Sequence, residues 1–530
     1  MGSRAELRHA LFYQHASTTQ LSPPMTDHGS PTAAKVYLVG AGPGDPQLLT
    51  LRAVECLRRA DLVLYDYLVN PRALDHASPR AERICLGRHG HGRILSPAEV
   101  NERMIAAARA GRTVVRLKGG DPLVFAHAAE ECAALSAAAV PFEIVPGITA
   151  ALASGSYAGV PLTHRRLASA VALIAGREDD EKDLPPLDYA ALAGFPGTLV
   201  FYMGVTTVAT WSAALLRGGM TSATPVALVR RCSWPDQHVL RTTLSEVADV
   251  VVSRKLRPPV IAIVGNVAGL EPVTEWFTAR PLFGRRIVVT RPAGQADPLR
   301  SRLEELGAEV LVQPAIELAP PVDEKAVDAA LARLGDYEWL VFSSANGVRF
   351  LLDRLLATAD VRRLGSVRLA AIGPATAEEL ARYSLRADLV PPEYRAEELA
   401  AALAPAVRGQ RVLLARASRG REVLAEQLRT AGATVDQVVV YESRDVMQPD
   451  AEVAQAIAAG SIDFVTVTSS AIARSLAGMF GPDLKKTRLA SISPVTSAVL
   501  HELGHAVAVE ADSYTTEGLV AAILAGFASK

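Results

Sequence analysis

Cysteine is scarce in this chain, with four residues among 530, at Cys56, Cys85, Cys132 and Cys232. No two of them form a C-x-x-C pair, so their spacing argues against a zinc site and against a disulfide framework. Isolated thiols of this kind are typical of proteins in a reducing compartment. We therefore expect a cytoplasmic protein that holds no metal.

An excess of charge of either sign is also absent, because 55 basic residues balance 56 acidic ones. Without an overall field we expect no nucleic-acid partner and no membrane partner, and any anionic ligand must be held by local arginines. No apolar run reaches the roughly 20 uninterrupted residues that span a bilayer. The first 33 residues lack both a secretory apolar core and a helical stripe, so we expect a disordered leader over 1–33.

Short β-branched runs alternate with alanine-rich amphipathic stretches from Val36 onward. This alternation predicts an α/β fold with largely buried sheets. The chain exceeds the roughly 250–300 residues at which a single core usually divides. The alternation stops where Pro272 and Pro281 stand, so we predict one domain over 34–270, a linker over 271–283 and a second domain over 284–530.

The second domain repeats itself. Four pairs of segments match in the same order, about 120 to 126 residues apart: GRRIVVTRP with GQRVLLARA, the SSA at Ser343 with the SSA at Ser469, AAIGPATAEEL with ASISPVTSAVL, and YRAEEL with YTTEGL. Such repetition indicates a duplicated α/β unit. We expect two lobes with a cleft, one formed by about 284–318 with 445–530 and the other by 322–440.

Hydroxyl side chains follow the predicted strands of both repeats. In open α/β sheets, ligands bind beyond the carboxyl ends of the strands, where helix N-termini offer free N–H groups to anions. The same Ser and Thr side chains are suited to capping the helices. Capping is the preferred interpretation for any single residue, whereas anion binding is at least as good for the doubled set facing one cleft.

The first domain opens with VYLVGAGPGDPQLLT, a strand that runs into a glycine-rich turn and a helix. A dinucleotide fingerprint would need its third glycine where Asp45 stands, and Pro43 lacks the N–H that a phosphate would use. Asp45 also places a negative charge where a phosphate would lie. The motif therefore argues against a Rossmann oxidoreductase.

Two further loops end predicted strands in the same way, in VVRLKGGDP and VPGITA. Gly119 and Gly120 permit close approach of the backbone to a ligand, and Asp121 is able to accept hydrogen bonds from ribose hydroxyls or an amino group. Three such loops suit a small, cationic, nucleoside-like ligand that bears a carboxylate better than a polyphosphate. Taken singly, each is an ordinary turn between a strand and a helix.

These motifs, with YDYLV, YAGVPLTHR and FYMG, closely resemble the uroporphyrinogen-III C-methyltransferases of the tetrapyrrole methylase family over roughly Val36 to Val267. The resemblance implies two α/β subdomains with S-adenosylmethionine bound between them, and a homodimer formed through this domain. It also implies a set of cofactor-binding residues: Pro43, Gly119, Gly120, Asp121, Val124, Thr149, Ala150, Met203 and Cys232.

The same resemblance assigns catalytic roles to Asp66 and Arg88. Asp66 lies in YDYLV and matches the proposed base of the family, which would accept the proton that the methylated macrocycle loses. The alternative for Asp66 is a helix cap. Arg88 stands where the family has a proton-donating lysine, and an arginine holds a carboxylate but does not readily release a proton. Pro97 and the stretch 126–129 also depart from the family pattern.

The second domain resembles uroporphyrinogen-III synthase over about Arg286 to Leu524, through TRP, FSSANGV, AIGPATA, RASRGRE, VYE, SPVTS and YTTEGL. The resemblance implies two α/β lobes joined by a two-stranded connection, no cofactor, and cyclisation of hydroxymethylbilane with inversion of ring D. Tyr441 matches the tyrosine best placed to assist loss of the substrate hydroxyl, and a core tyrosine is the alternative. The candidates for binding substrate carboxylates are Arg291, Ser343, Ser344, Thr376, Arg416, Thr468, Ser469 and Thr496.

Together, the two resemblances predict a bifunctional enzyme that makes uroporphyrinogen III and methylates it twice with S-adenosylmethionine to precorrin-2, on the way to sirohaem or cobalamin. One alternative is an active synthase fused to a domain that does not methylate, or that methylates a later corrinoid precursor. Another is a second half that binds a ligand in its cleft without catalysis.

Overall fold

The computed structural model describes residues 34–87, 94–177, 186–271, 275–420 and 422–528. The predicted leader 1–33 and Arg88 lie outside the described residues. The chain divides into two compact units. The first comprises the chain up to Ser156 together with Leu162–Leu228 and Arg241–Gly269, and the second comprises Tyr157–Pro161, Val229–Leu240 and the chain from Leu270 onward.

Residues 34–271 form two five-stranded sheets. The strands are β1 (Val36–Gly40), β2 (Leu62–Tyr65), β3 (Glu82–Cys85), β4 (Val114–Lys118), β5 (Phe142–Val145), β6 (Val171–Ala175), β7 (Thr198–Tyr202), β8 (Pro225–Arg230), β9 (His238–Thr243) and β10 (Val260–Val264). The helices are α1 (Leu51–Arg59), α2 (Pro97–Arg109), α3 (Ala128–Ala137), α4 (Ala150–Tyr157), α5 (Tyr189–Ala193), α6 (Val208–Arg217) and α7 (Val247–Ser253), with 3₁₀ helices at Pro46–Leu48, Pro71–His76 and Asn266–Gly269.

The first sheet is parallel throughout, with the strand order β3-β2-β4-β1-β5. Strands β1 and β4 are buried along their whole length, and apolar clusters cover both faces of the sheet. A parallel sheet covered on both faces requires near-continuous apolar strands, as the sequences of β1 and β2 have. Because β4, β1 and β5 are neighbours, the three loops that follow them meet at one edge.

The second sheet is mixed, with the order β6-β7-β10-β8-β9, in which β6 runs parallel and β10 antiparallel to β7. Phe201 on β7 stacks on Trp211 of α6 with the ring centroids 4.5 Å apart, and both side chains are fully buried. Pro97, a departure from the family pattern, is the first residue of α2, where its missing N–H costs nothing. The predicted two-subdomain α/β fold is confirmed.

The rest of the chain forms two further five-stranded sheets. The strands are β11 (Arg286–Val289), β12 (Glu309–Val312), β13 (Ile316–Ala319), β14 (Trp339–Phe342), β15 (Arg368–Ala371), β16 (Arg411–Ala417), β17 (Thr434–Asp445), β18 (Phe464–Val467), β19 (Arg488–Ser491) and β20 (Val507–Glu510). The helices are α8 (Ala293–Glu305), α9 (Glu324–Ala332), α10 (Ala345–Leu356), α11 (Pro374–Arg382), α12 (Ala396–Val407), α13 (Val423–Thr430), α14 (Ala451–Ala458), α15 (Ser470–Phe480), α16 (Pro494–Glu502) and α17 (Thr516–Ala528), with 3₁₀ helices at Leu334–Asp336, Val361–Leu364 and Gly481–Lys486.

Each of these sheets is the centre of one lobe, and each lobe takes strands from both sequence repeats. The first lobe has the order β12-β11-β18-β19-β20, and the second has β13-β17-β16-β14-β15. Strand β16 therefore takes the place in the second lobe that β11 takes in the first, and β14 takes the place of β18. The predicted bilobed, internally duplicated fold is confirmed, with the halves of each repeat exchanged between the lobes.

Two antiparallel strands connect the lobes. Strand β13 pairs with the last residues of β17, Ile316 opposite Asp445 and Ala319 opposite Glu442. Ile316 packs in the core of the first lobe, whereas Leu318 packs against the core of the second. The connection is thus anchored in both lobes through two side chains of one short strand.

The alignment of the repeats around their paired serines was wrong by one residue. The N-cap of α10 is Ser344 and the N-cap of α15 is Ser469. The sheet registers agree, because Trp339 pairs with Val412 in the second lobe as Phe464 pairs with Ile287 in the first. Ser344, rather than Ser343, is therefore the equivalent of Ser469. Two adjacent serines in each segment made the shifted match look complete.

The described ranges contain no helix long and apolar enough to cross a membrane. Within the same ranges, no group of three or more His, Cys, Asp or Glu side chains is arranged to hold a metal ion.

Candidate functional site

The three glycine loops of the first unit lie against one another. Beyond β1 and β4 the backbones of Gly42 and Gly120 pair: the Gly42 N–H donates to the Gly120 carbonyl at 3.2 Å, and the Gly120 N–H donates back at 2.8 Å. Gly147 follows β5 and packs against Gly40 and Gly120. The sequence predicted that these loops act together, and the structure brings them to one edge of the sheet.

Glycine is required here by close approach of the backbones. A Cβ atom on Gly147 would lie 2.2 Å from the Gly120 carbonyl oxygen, and one on Gly40 would lie 2.6 Å from the Gly147 Cα. Contacts below about 3.0 Å force the backbone to shift. The edge is therefore lined by main chain rather than by side chains, so a ligand at this edge could approach the backbone closely.

The carboxylate of Asp121 ties two of the loops together. Its Oδ1 accepts a hydrogen bond from the Leu123 N–H at 2.9 Å, and its Oδ2 accepts one from the Gly147 N–H at 3.1 Å. Each carboxylate oxygen has a second lone pair, so Asp121 retains capacity for a ligand hydroxyl or amino group. Lys118, the last residue of β4, donates to Glu131 at 2.8 Å. This charge balance fits a cationic ligand better than a polyphosphate.

The end of β7 reaches the same region. The Thr149 hydroxyl and the Tyr202 hydroxyl are 2.6 Å apart, and the Ala151 N–H donates to the Tyr202 oxygen at 2.9 Å. The next residue, Met203, has φ 54°, and its side chain is 51% exposed. Phe125, with φ 53°, contacts the Tyr202 ring at 4.8 Å between centroids. Two non-glycine residues in the left-handed region are typical of a functional site.

The remaining predicted cofactor contacts are placed as follows. Pro43, Val124 and Ala150 are half-buried in or next to the glycine loops. A Cβ on Gly119 would lie 3.4 Å from the Leu68 Cβ, which is ordinary contact. Cys232 is buried in the loop after β8, in residues that belong to the second compact unit.

Asp66 is held by a buried ion network that the sequence analysis missed. Its Oδ1 accepts from Arg116 Nη2 at 2.7 Å, Arg116 Nε donates to Glu131 Oε1 at 3.0 Å, and Lys118 donates to the same oxygen. Asp66 does not cap a helix, because the nearby 3₁₀ helix is capped by Asn70. The sequence signal for this network was the presence of Arg116 and Lys118, two charged residues on one face of the otherwise apolar, buried strand β4.

The network is costly to bury and is nearly neutral. The exposed fractions of Arg116, Lys118 and Glu131 are 5%, 2% and 8%. Burial lowers the pKa of Lys118, and the positive charge of Arg116 lowers it further, while Glu131 raises it. The Glu131 Oε2 is buried and has no hydrogen-bond partner in the structure. Two bases, Arg116 and Lys118, and one acid, Glu131, therefore fix Asp66 at the end of β2 from inside the sheet.

Two predicted site residues of the second compact unit, Ser344 and Tyr441, lie in contact in the second lobe. Ser344 caps α10, its Oγ accepting from the Gly347 N–H at 3.0 Å, and the same oxygen lies 3.1 Å from the Tyr441 hydroxyl. Tyr441 is 6% exposed, and its ring stacks on Phe350 with centroids 5.4 Å apart. Tyr441 is a core side chain, as the alternative interpretation has it, and its hydroxyl lies beside the strand-end Ser344. The catalytic role of Tyr441 stays a prediction.

The matching edge of the first lobe carries an equivalent hydroxyl set. Ser469 caps α15 by accepting from the Ile472 N–H at 3.2 Å, and Thr468 beside it is half-buried. Thr496 is 2% exposed and lies 3.2 Å from the Ser493 hydroxyl. The capping interpretation thus accounts for Ser344 and Ser469 as observed.

The predicted arginines have partners within the protein. Arg291 Nη1 donates to the Thr516 hydroxyl at 3.2 Å, and burial lowers the pKa of Arg291. Arg416 bonds Gln437 at 2.7 Å and also Glu422. Of the other two candidates, Ser343 is half-buried and Thr376 is 3% exposed on α11.

Comparison with known proteins assigns both parts of the chain. Residues 35–248 match the family model described as Tetrapyrrole (Corrin/Porphyrin) Methylases, and residues 297–521 match the model described as Uroporphyrinogen-III synthase HemD. Both matches fall inside the domains predicted from the sequence.

Three relatives are similar over long stretches. A protein of Ruminiclostridium josui named Porphyrin biosynthesis protein HemD is 31% identical over 490 residues, which are 92% of this chain and 95% of that protein. A uroporphyrinogen-III C-methyltransferase of Bacillus subtilis is 34% identical over 68% of this chain and 73% of its own. An S-adenosyl-L-methionine-dependent uroporphyrinogen III methyltransferase of Methanosarcina barkeri is 43% identical over 45% of this chain and 94% of its own.

Proposed function

Because the chain belongs to the tetrapyrrole methylase family in its first part and to the uroporphyrinogen-III synthase family in its second, we propose that it makes uroporphyrinogen III and methylates this product twice to precorrin-2. It is a bifunctional enzyme of tetrapyrrole biosynthesis. We assign 34–270 to the methyltransferase and 284–530 to the synthase, joined by 271–283. The match of the Ruminiclostridium josui protein along nearly the whole chain supports one fused enzyme.

The observation that carries the methyltransferase proposal is the backbone-lined edge where three glycine loops meet. S-adenosylmethionine supplies the methyl group when bound. Asp121 offers acceptor capacity for its amino or hydroxyl groups, and Thr149 and Met203 lie on the two elements that meet beside the loops. Pro43, Gly119, Gly120, Val124 and Ala150 would line the same edge, and Cys232, in the loop after β8, is a further proposed member of the set.

We propose Asp66 as the proton acceptor of the methyl transfer. Once a pyrrole carbon has gained a methyl group, the methylated macrocycle must lose a proton at another position, and a fixed carboxylate near the loops serves that step. Arg116 holds one carboxylate oxygen of Asp66 and leaves the other for the substrate. Arg88, outside the described residues, is proposed to hold a substrate carboxylate.

For the synthase, we propose that Tyr441 assists departure of the hydroxyl of hydroxymethylbilane. Its hydroxyl is oriented by Ser344, and the stacked Phe350 restricts the ring. The candidate Ser, Thr and Arg residues of both lobes would bind the side-chain carboxylates of the substrate, together with the free backbone N–H groups at the helix N-termini. Catalysis then consists largely of folding the substrate into a reactive geometry, and we propose that this half needs no cofactor.

We also propose a cytoplasmic location and a homodimer formed through the methyltransferase. The four cysteines all lie in described residues and form no disulfide there, and Cys85 is exposed, which suits a reducing compartment. The dimer rests on the family resemblance, and sedimentation of the purified protein tests it. A mass of one chain would contradict it.

Two assays test the proposed activities separately. Hydroxymethylbilane with the protein should give isomer III, whereas the spontaneous product is isomer I. Uroporphyrinogen III with S-adenosylmethionine should give precorrin-2. Tyr441→Phe, which keeps the buried ring, should slow only the first reaction, and Asp66→Asn only the second. Isomer I alone in the first assay, or no methylated product in the second, would contradict the corresponding proposal.

A further inference from the structure

The two lobes of the synthase touch through a pair of amide side chains, apart from their two-stranded connection. Gln295 is the third residue of α8 in the first lobe, and Asn346 is the second residue of α10 in the second. The Nε2 of Gln295 donates a hydrogen bond to the Oδ1 of Asn346. Both side chains are half-buried. The contact therefore joins the strand-end edges of the two sheets.

The amide pair lies among the candidate substrate-binding residues of both lobes. Asn346 follows Ser344 by two positions, and Ser344 contacts the Tyr441 hydroxyl. Gln295 follows Arg291 by four positions, across the start of the same helix. Closing or opening this contact thus changes the space between groups that both repeats contribute.

The amide hydrogen bond also opposes an electrostatic repulsion between two helix ends. Helices α8 and α10 present their N-terminal ends to each other, and each end carries a partial positive charge of about half an elementary charge. Like ends repel weakly, so the amide hydrogen bond opposes separation of the lobes there. A linear substrate whose two ends must meet gains from a cleft that stays closed until the ring forms.

We propose that Gln295 and Asn346 are positioning residues of the synthase, whose hydrogen bond closes the cleft beside Ser344 and Tyr441 and keeps the substrate folded for ring closure. The proposal rests on the proposed synthase activity. Closure of the cleft then depends on the side chains of Gln295 and Asn346, and neither side chain reacts with the substrate.

A cross-linking experiment tests closure without relying on activity. The variant Gln295→Cys/Asn346→Cys, treated with a short thiol-reactive bismaleimide, should give an intramolecular cross-link that peptide mass mapping locates. The single variants, treated identically, should not, and they also control for native thiols such as exposed Cys85. Absence of the cross-link in the double variant overturns the closed arrangement in solution, whether or not the protein proves to be a synthase.

A second set of variants tests positioning. Asn346→Ala should lower synthase kcat/KM about tenfold, the worth of one well-placed hydrogen bond, and raise the fraction of isomer I released. Asn346→Asp keeps the acceptor oxygen and should stay within about twofold of the wild type. Gln295→Ala/Asn346→Asp removes the donor and should fall to the level of Asn346→Ala.

The controls separate positioning from folding. Methylation of added uroporphyrinogen III should be unchanged in all three variants, because α8 and α10 belong to the synthase. Equal losses in Asn346→Ala and Asn346→Asp would overturn the proposal, since they would indicate a requirement for the asparagine itself. Wild-type rates in Asn346→Ala would overturn it as well.

Discussion

At the scale of single residues, the buried network around Glu131 places three charged side chains largely out of contact with water. One carboxylate oxygen of Glu131 lies 3.0 Å from the Arg116 guanidinium and 2.8 Å from the Lys118 ammonium, and Arg116 also binds the carboxylate of Asp66. Buried charges are tolerated only when paired, because each one loses its hydration. The position of the proposed proton acceptor therefore depends on a glutamate on another element, α3.

Replacing this glutamate should be severely destabilising. Glu131→Gln leaves Arg116 and Lys118 without a carboxylate between them, which should lower the free energy of unfolding by about 3 kcal/mol. Its neighbour Glu130 is exposed and bonds exposed His127 at 3.3 Å, so Glu130→Gln is the matched control. Urea unfolding measures both. Equal stability of the two variants would show that the network contributes nothing net.

Adding a methyl group at Gly147, where the three glycine loops lie against one another, should lower both stability and cofactor binding. In Gly147→Ala the added Cβ has no room beside the Gly120 carbonyl, so we expect a loss of about 2 kcal/mol and loss of S-adenosylmethionine binding by calorimetry. Gly194→Ala is the control, because its Cβ would meet its neighbours at 3.7 Å. Normal cofactor binding by Gly147→Ala would contradict the proposed role of this edge.

At the scale of elements, Glu143 ties β5 to its neighbours. It accepts hydrogen bonds from Arg52 on α1 and from Lys35 just before β1, and these contacts lower the pKa of Glu143 to about 2. A carboxyl whose pKa is lower in the folded state stabilises the fold above its unfolded pKa of 4.5. That stability is lost as the pH falls from there toward 2.

The acid limb of unfolding tests this tie. From about pH 6 to about pH 3, wild-type stability should fall more steeply than that of Glu143→Gln, because only the wild type takes up a proton at this site on unfolding. Glu55→Gln, which removes an exposed carboxylate that also contacts Arg52, should keep the wild-type slope. Identical slopes for the wild type and Glu143→Gln would refute the prediction.

The two helix caps of the synthase provide a matched pair. Ser344→Ala and Ser469→Ala each remove one capping hydrogen bond, so each should lower stability by about 1 kcal/mol. Both hydroxyls are proposed to bind substrate carboxylates, but only Ser344 also contacts the Tyr441 hydroxyl, so Ser344→Ala should slow the conversion of hydroxymethylbilane more than Ser469→Ala does. An equal loss of turnover in the two variants would contradict the proposal that Ser344 orients Tyr441.

Sequence patterns predicted the elements better than the contacts between them. The apolar runs located β1, β2, β4 and their partners because strands buried on both faces are nearly all apolar. The ion network around Asp66 was not predicted, because its members come from three elements and no local sequence pattern pairs Lys118 with Glu131. The repeat was found, but a one-residue shift at Ser343 passed unnoticed, since only cap geometry and sheet register distinguish adjacent serines.

At the scale of the whole molecule, two consecutive activities share one chain. The product of the proposed synthase is the substrate of the proposed methyltransferase, so the order of reactions is fixed by chemistry. The relative of Ruminiclostridium josui matches along 92% of the chain, which supports a fused enzyme as the working unit.

The most direct test supplies the full chain with hydroxymethylbilane and methyl-labelled S-adenosylmethionine, and follows the products by mass. The account predicts isomer III early, then a macrocycle carrying two labelled methyl groups, with Tyr441→Phe delaying both products and Asp66→Asn stopping the reaction at isomer III. Accumulation of unlabelled isomer I, or of isomer III alone in the wild type, would contradict the bifunctional assignment.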